Sequence, residues 1–529
     1  MMFNGRATDN ENSMDLANVQ ADVQMDIQTD AALLLDHCRS RGINLYVKND
    51  ELGYHAAKGA MTEEIMSAIL MRKNDILSHL TRIDGSRFRV TAASANRAQL
   101  FNRFLWKDYS NRLMDVSSAN APHIVMRCTG EMLTDALLKS TELLLERHDV
   151  LNSSIETNCG NLYLVCHDRK PAAFCEIVVS GKTAREREAE GYRIANDLVW
   201  KEYDLNSGPL YRIFLIRLSA GEYILGVALH HAIGDLVSIG IMFQELISIY
   251  GSVVSGTTLR VPSTRFCYMD YLASMESWQA NPACMEHIRC WKDKLKSTPA
   301  TDLQRTRNNS SNGIIPESTA EAKIQLDAGT SRSLKEMAGR LKTTLFTVLL
   351  TIYKIALGSM TGREEPVVIV LHAGRFDAGL QGAIGNFALE VAYKTSLAGN
   401  PCFTEAVGRV MNTMNEANLH QPVPLDWIRR ALSEDGVSFC APGINFIPGE
   451  ANHTQNPLEP RQLSFTPPGA RHGCHGFSLS CAMEFRGIGG VIEGSMVYRN
   501  DLYDESTIRE FMNCFIQTVS DVIRFPKRR

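Results

Sequence analysis

The sequence predicts a mixed α/β (α+β) protein in which a small αββαα unit precedes two larger lobes. Three observations predict this. The chain has 529 residues, 44% hydrophobic and 22% charged, which suits a globular protein with room for more than one core. Strand-like apolar runs alternate with helix-period segments along most of it. Turn-rich stretches break the alternation near Asp84 and again between Gly251 and Arg265.

Taken in order, residues 1–27 carry few large apolar side chains and read as a disordered leader, although Val23, Met25 and Ile27 alternate like a short strand. Acidic residues set against Arg6 are the reverse of a secretory or transit signal. Residues 28–83 form a compact unit. Thr29 or Asp30 can cap a helix that stops at Gly42. Ile43, Tyr46 and Val47 enter a hairpin that turns through 49–53 and returns from Tyr54. Thr62 caps a helix lined by Ile65, Met66 and Ile69, and a last helix carries Ile76, Leu77 and Leu80. Residues 84–92 are a linker, 93–262 the first lobe and 263–529 the second, with polar loops at 304–320 and 448–471.

A net charge of -4 gives no case for nucleic acid or a membrane surface, and no run approaches the ~20 apolar residues of a membrane span. The 13 cysteines are scattered and odd in number, as in a reducing cytosol. A cytoplasmic monomer is expected. His472-Gly473-Cys474-His475 offers ligand types at a spacing that suits no common zinc site, and Gly487-Ile488-Gly489-Gly490 lacks the Gly-x-Gly-x-x-Gly pattern. Neither a metal nor a nucleotide is expected.

The sharpest local feature runs from Tyr223 to Tyr250. An apolar strand ends in His230 and His231, Ala232-Ile233-Gly234 connects, and Asp235 stands where a helix N-cap belongs. Joining an amine to an activated acyl group requires that a proton leave the amine and that an oxyanion be stabilised. An imidazole accepts or shares such a proton at neutral pH, and a strand end mounts it rigidly. On spacing alone, two core histidines beside a helix cap would give the same string.

HHAIGDLVS at 230–238 resembles the HHxxxDGxS signature of the condensation domains of nonribosomal peptide synthetases. Further motifs of that family follow in order. Ser94-Ala95-Asn96-Arg97-Ala98-Gln99-Leu100-Phe101 is loosely similar to SxAQxRLW, Arg147-His148-Asp149-Val150-Leu151 to RHExLR, and Tyr268-Met269-Asp270-Tyr271 to YxDYA. Ala373-Gly374-Arg375 and Ile384-Gly385-Asn386-Phe387 resemble the GR and IGxFVN elements. His420-Gln421-Pro422-Val423-Pro424-Leu425 resembles HQxxPFE, and Tyr498-Arg499-Asn500-Asp501-Leu502-Tyr503 the closing Y-x-x-DLF. The resemblance spans about residues 90–525. It implies two chloramphenicol-acetyltransferase-like lobes in a V around a central tunnel.

The resemblance also implies roles. His231 is the catalytic residue, as general base or as the group that positions the amine, with His230 beside it. Asp235 is structural and pairs with Arg375, and Gly234 lets the backbone approach the developing oxyanion. Leu236, Ser238 and Asn445 line the tunnel on the acceptor side. Leu236 replaces the family's glycine, which would narrow the passage and point to a different amine, and Asn152 replaces the closing arginine of RHExLR.

The run Leu35…Gly42-Ile43-Asn44-Leu45…Leu52-Gly53-Tyr54…Ala57-Lys58-Gly59-Ala60-Met61-Thr62 looks like a TubC-type N-terminal docking domain. That implies a hairpin (Leu45, Tyr46, Val47, Lys48, Tyr54) that adds a strand from the C-terminal tail of an upstream synthetase subunit, with Lys58, Arg72 and Lys73 to receive acidic residues. No adenylation, carrier or thioesterase segment is evident in the sequence. The chain is therefore expected to stand alone and to bind no cofactor. Its acyl donor would arrive on the phosphopantetheine arm of a partner carrier protein. The expected acceptor is a free small amine, in a terminal, releasing step of nonribosomal peptide or hybrid polyketide biosynthesis. A carrier-bound aminoacyl acceptor, an acyl-CoA-dependent acyltransferase and a non-catalytic docking scaffold are the alternatives.

Overall fold

The computed structural model describes residues 5–8, 34, 38, 41, 43–48, 51–57, 61–73, 75–76, 90, 97–99, 105–107, 113–115, 122–158, 161–168, 171–258, 265–298, 303, 319–419, 423–437, 439–447, 461–462, 481–488, 490–500 and 502–525. It divides into two compact units, Met1–Arg87 and Phe88–Arg529.

The first unit is built around a hairpin. Strands β2 (Asn44–Lys48) and β3 (Glu51–Ala57) pair antiparallel, with Leu45 opposite Tyr54 and Val47 opposite Leu52. Strand β1 (Gly5–Thr8) runs parallel to the other edge of β3, giving the order β1-β3-β2. This corrects the expectation of a leader without structure. The backbone groups on that edge of β3 need partners, and Gly5–Thr8 supplies them. Helix α1 (Glu63–Met71) starts as its sequence predicts, with Thr62 Oγ1 accepting the Ile65 N–H at 3.3 Å. Leu34, Cys38, Ile43, Leu52, Ile65, Ile69 and Ile76 close a small core. Leu34 and Cys38 are helical and four residues apart, so one face of the expected first helix carries both.

The second unit opens with the short strands β4 (Arg97–Gln99), β5 (Leu105–Lys107) and β6 (Leu113–Asp115). Next come β7 (His123–Thr129), α2 (Thr134–Arg147), β8 (Ser153–Asn158), β9 (Asn161–Cys166), β10 (Phe174–Val178) and α3 (Ala184–Trp200). They are followed by β11 (Tyr211–Ser219), β12 (Glu222–Leu229) and α4 (Leu236–Ser255). Helices α5 (Tyr268–Gln279) and α6 (Pro282–Leu295) lead to β13 (Thr319–Leu326), α7 (Ala328–Arg340), α8 (Leu345–Thr361), β14 (Val367–His372) and β15 (Leu389–Lys394). Helices α9 (Phe403–Leu419) and α10 (Leu425–Glu434), strands β16 (Gly443–Ile447), β17 (Arg461–Gln462), β18 (Cys481–Ile488) and β19 (Val491–Arg499), and α11 (Glu505–Arg524) complete it.

Two large sheets organise these elements. One has the order β10-β11-β12-β7-β17 and the other β13-β19-β18-β16-β14-β15. β12 is buried almost throughout, which explains its unbroken apolar run. Ile224 packs with Ala195 and Val199 of α3, while Leu225, Val227 and Leu229 belong to the main core with Ile239 and Met242 of α4. β17 comes from the polar loop expected at 448–471, yet Arg461 and Gln462 pair with Arg127 and Met126 of β7. The first sheet therefore borrows a strand from far downstream. The edge of β7 offers unpaired backbone groups that a local reading of the loop does not register.

By length and composition α4 is apolar enough to cross a membrane. Here it is a core helix, and Glu245 on it accepts hydrogen bonds from Arg147 Nε at 3.0 Å and pairs with His148 Nε2 at 2.8 Å. Those contacts fasten α4 to α2, and they give the Arg147-His148 motif a structural job. A second polar tie lies deep in the other part of the core. Lys354 Nζ on α8 donates to the carbonyls of Pro366 and Tyr393, at 2.9 and 2.6 Å. The stretch 472–475 and residues 420–422 lie outside the described residues, as do the rest of the leader and most of the linker.

Candidate active site

The site is built where β12 ends. The His230 N–H donates to Leu210 O at 2.8 Å, and the Ile233 N–H returns to His230 O at 3.0 Å, so the chain turns at once after the strand. The Ala232 N–H donates to His230 Nδ1 at 3.1 Å, which puts the proton of a neutral His230 ring on Nε2. His230 is fully buried, with its ring edge-on to Tyr203 at 5.4 Å. His230 therefore shapes the turn, and its sealed ring departs from the expectation of a catalytic group open to substrate. Gly234 also has a packing explanation. A Cβ there would sit 2.5 Å from Leu229 Cδ1, so the absence of a side chain follows from the tightness of the turn.

His231 is the one residue of 229–235 that keeps solvent access. Burial pushes its imidazole down to about 4, against the raising pull of its own and Gly234's carbonyls and of the Asp235 charge. At neutral pH the ring is uncharged.

Asp235 fixes the start of α4. Its Oδ1 accepts from the Ser238 N–H at 2.7 Å and from Ser238 Oγ at 2.8 Å. Arg375 Nη2 reaches the same oxygen at 3.2 Å, and the Phe387 N–H donates to Oδ2 at 3.0 Å. This joins the turn to the segment between β14 and β15. Arg375 also donates through Nη1 to Leu380 O and Ala383 O, at 2.9 and 2.8 Å, and its guanidinium lies 4.2 Å from the centre of the Phe387 ring. Both charged side chains are about 95% buried, so the pair acts chiefly through geometry, its attraction offset by desolvation. Gly374 makes the approach possible. It adopts φ +65°, and a Cβ would lie 1.6 Å from Phe387 O.

Ser238 sits at the centre of this network. It accepts from Arg375 Nη2 at 2.8 Å and from the Gly385 N–H at 3.1 Å, and its hydroxyl lies 2.6 Å from Gly385 O. It is fully buried, so it lines no passage, contrary to the expectation from sequence. Leu236, by contrast, is 54% exposed and Val237 39%, an apolar pair projecting at the start of α4. Asn445 lies partly exposed on β16.

Asn386 was not picked out as a site residue from the sequence. Its Nδ2 donates to His231 O at 2.7 Å and lies 3.2 Å from His231 Nδ1. A polar residue inside the otherwise apolar Ile384-Gly385-Asn386-Phe387 run is the signal that could have found it. Of the residues expected at the docking hairpin, Leu45 packs on the small core and Tyr54 is half-buried. Arg72 stands 3.8 Å from Asp75, and Lys73 is half-buried. Tyr46, Val47 and Lys48 belong to β2, with side chains outside the described ones, and Lys58 lies outside the described residues. Among the described strands β3 is covered on both edges, and the outer edges of this sheet are those of β1 and β2.

A model of the condensation domain family matches residues 109–529, and one of the TubC N-terminal docking domain matches residues 32–81. A linear gramicidin synthase chain of Brevibacillus parabrevis is 28% identical over 80% of this chain and 8% of its own length. Malpinin synthetase of Mortierella alpina is 26% identical over 76% of this chain and 5% of its own. The chain thus spans only a small part of these relatives. Among solved structures, one that gives the molecular basis for condensation domain-mediated chain release from the enacyloxin polyketide synthase aligns over 95% of this chain and 97% of that one, with a TM-score of 0.66 at 19% identity. The SgcC5 protein of Streptomyces globisporus aligns over 77% of this chain and 93% of its own, with a TM-score of 0.65 at 17% identity. At such identities the likeness establishes the fold.

Proposed function

The chain belongs to the condensation domain family, carries a TubC-type docking domain ahead of it, and has the chloramphenicol-acetyltransferase-like fold, and on that premise we propose that it joins a carrier-bound acyl thioester to a free small amine at His231. The observation that carries this reading is the placement of His231, a partly exposed residue at the strand end whose buried imidazole is uncharged at neutral pH, on a turn whose far side is locked by Asp235 and Arg375. The acyl donor arrives on the phosphopantetheine arm of a carrier belonging to an upstream synthetase subunit, whose tail adds to the edge of β2.

In this reaction the amine nitrogen attacks the thioester carbon. One N–H proton leaves as the C–N bond forms, the C–S bond breaks, and the proton ends on the departing sulfur. A ring with a pKa of about 4 holds a proton in roughly one molecule in a thousand at pH 7. It is therefore better suited to accept a hydrogen bond and aim the amine than to store a full proton between steps. The Leu236 and Val237 side chains give the approach an apolar border that favours an amine with a hydrocarbon portion.

The test is reconstitution with an acyl-loaded upstream carrier and two kinds of acceptor, a panel of free amines and an aminoacyl group on a second carrier. Amide from free amines is the expected outcome. Amide only from the carrier-bound acceptor would refute the releasing role, and equal turnover of acyl-CoA without any carrier would refute the carrier-dependent one.

A further inference from the structure

The segment between β14 and β15 grips the His231 turn with three consecutive residues. The Gly385 N–H donates to Ser238 Oγ at 3.1 Å, and the Phe387 N–H donates to Asp235 Oδ2 at 3.0 Å. Between them, Asn386 Nδ2 donates to His231 O at 2.7 Å and lies 3.2 Å from His231 Nδ1. That carbonyl can only accept, which fixes the nitrogen end of the amide. The Phe387 ring is itself set edge-on to Tyr268 and Tyr271, at 5.2 and 4.9 Å. The backbone on both sides of Asn386 is therefore tied to the same turn that its side chain reaches, and its two side-chain torsions start from a fixed base. Asn386 is 6% exposed, so it meets His231 and no substrate. Its Oδ1 receives no hydrogen bond from any described residue, and an unpaired buried acceptor lowers stability. The asparagine thus contributes a donor to His231 and little net stability.

We propose that Asn386 is a positioning residue of the acyl transfer, which ties the segment between β14 and β15 to His231 and holds the imidazole in its working place. This rests on the acyl-transfer reading and deepens it. Asp235 and Ser238 fix the start of α4, four and more residues beyond the ring, and they leave the His231 peptide free to rotate about its own dihedrals. The Nδ2 contact removes that freedom at the residue itself. A displacement of about 1 Å in a catalytic group can cost roughly 10²-fold in rate, so a tie at this point acts on turnover and leaves the binding of either substrate almost unaltered.

The experiment uses the full chain, an acyl-loaded upstream carrier and benzylamine, with an aminoacyl carrier as a second acceptor. Wild type, Asn386→Leu and Asn386→Asp are compared by kcat, acceptor KM, urea midpoint and pH profile. Leucine keeps the branching and removes both the donor and the unpaired acceptor. Its urea midpoint is expected close to wild type, its kcat about 10-fold to 100-fold lower and its KM within a few-fold. Aspartate keeps the shape of asparagine. Ionised, it offers the His231 carbonyl no hydrogen; protonated, it can donate one. Burial raises a carboxyl above its ordinary ~3.9, and burial also disfavours a charged ring beside it, so the proton goes to the carboxyl. The Asn386→Asp rate is therefore expected to rise as pH drops from 7.5 to 5, where wild type is flat. His230 and Asp235, the other titratable groups acting on the ring, are the same in both chains. A wild-type rate in Asn386→Leu, a loss of rate matched by a loss of folded protein, or an Asn386→Asp profile parallel to wild type overturns the positioning role and leaves acyl transfer intact. A wild-type chain that makes amide with neither acceptor overturns acyl transfer and this inference together.

Discussion

Replacing His231 by alanine removes the imidazole and leaves the Asp235–Arg375 lock in place, so the expected loss is in rate and not in folding. Positioned acid–base groups contribute roughly 10²–10⁴-fold, and single-turnover amide formation should fall by that order. The pH dependence follows from the same ring. Its pKa of about 4 keeps it uncharged above pH 5, so the His231-dependent rate is flat from there to neutrality and falls as pH drops through 4. A rate that fell instead through pH 6.5 would mean an imidazole with its ordinary pKa. Asp235→Ala has a different signature. It leaves Arg375 buried without its charge partner, which costs about 3–5 kcal/mol and should show as a lowered unfolding midpoint before any assay of rate. Leu236→Gly, at an exposed position, should change the amine KM with little change in stability. A large loss of stability would show that the leucine is needed for packing.

At the scale of elements, α4 needs its one buried acid. Glu245 binds Arg147 and His148 of the α2 end, so Glu245→Ala strands a cation and an imidazole at the helix contact. A loss of about 3 kcal/mol or more is expected by chemical denaturation, with Glu245→Gln intermediate. The N-terminal unit depends on a cap. Thr62→Ala removes the acceptor for the Ile65 N–H and should cost about 1 kcal/mol. In so small a core that loosens the hairpin, and binding of the upstream tail would weaken with it. Affinity unchanged by the substitution would mean that the tail does not depend on the order of this unit.

For the whole molecule, two histidines set an acid limit on stability. His231 and His372 are each pushed down to about 4 by burial, against about 6.5 in an unfolded chain. Between those values the unfolded state binds more protons than the folded one, so stability falls as pH drops from 6.5 to 4 and is insensitive to these rings above 6.5. Carboxylates held low in the fold, such as Asp204, Glu222 and Asp327, act in a separate window. Their stabilisation is present above the unfolded carboxylate pKa and is lost only below it. Urea midpoints taken at intervals from pH 7.5 to 3.5 should therefore fall in two stages. A single fall confined below pH 4.5 would show that the histidines are not held uncharged.

What local chemistry can dictate was legible along the chain. A strand that must be buried on both faces reads as an apolar run, an acid at a helix start reads as a cap, and the Arg375 segment was readable because its motif was intact. Spacing alone does not separate His230 from His231, since two adjacent residues of one type differ only in what surrounds them, and it was the resemblance to the family motif that singled out His231. Packing sealed the first completely and left the second partly exposed. Packing also set the contact of Asn386 with His231, across 155 residues of chain, and the place of Arg461 and Gln462 on the first sheet. Such contacts depend on which backbone groups remain unpaired once everything else has folded, and no window of neighbouring residues contains that information.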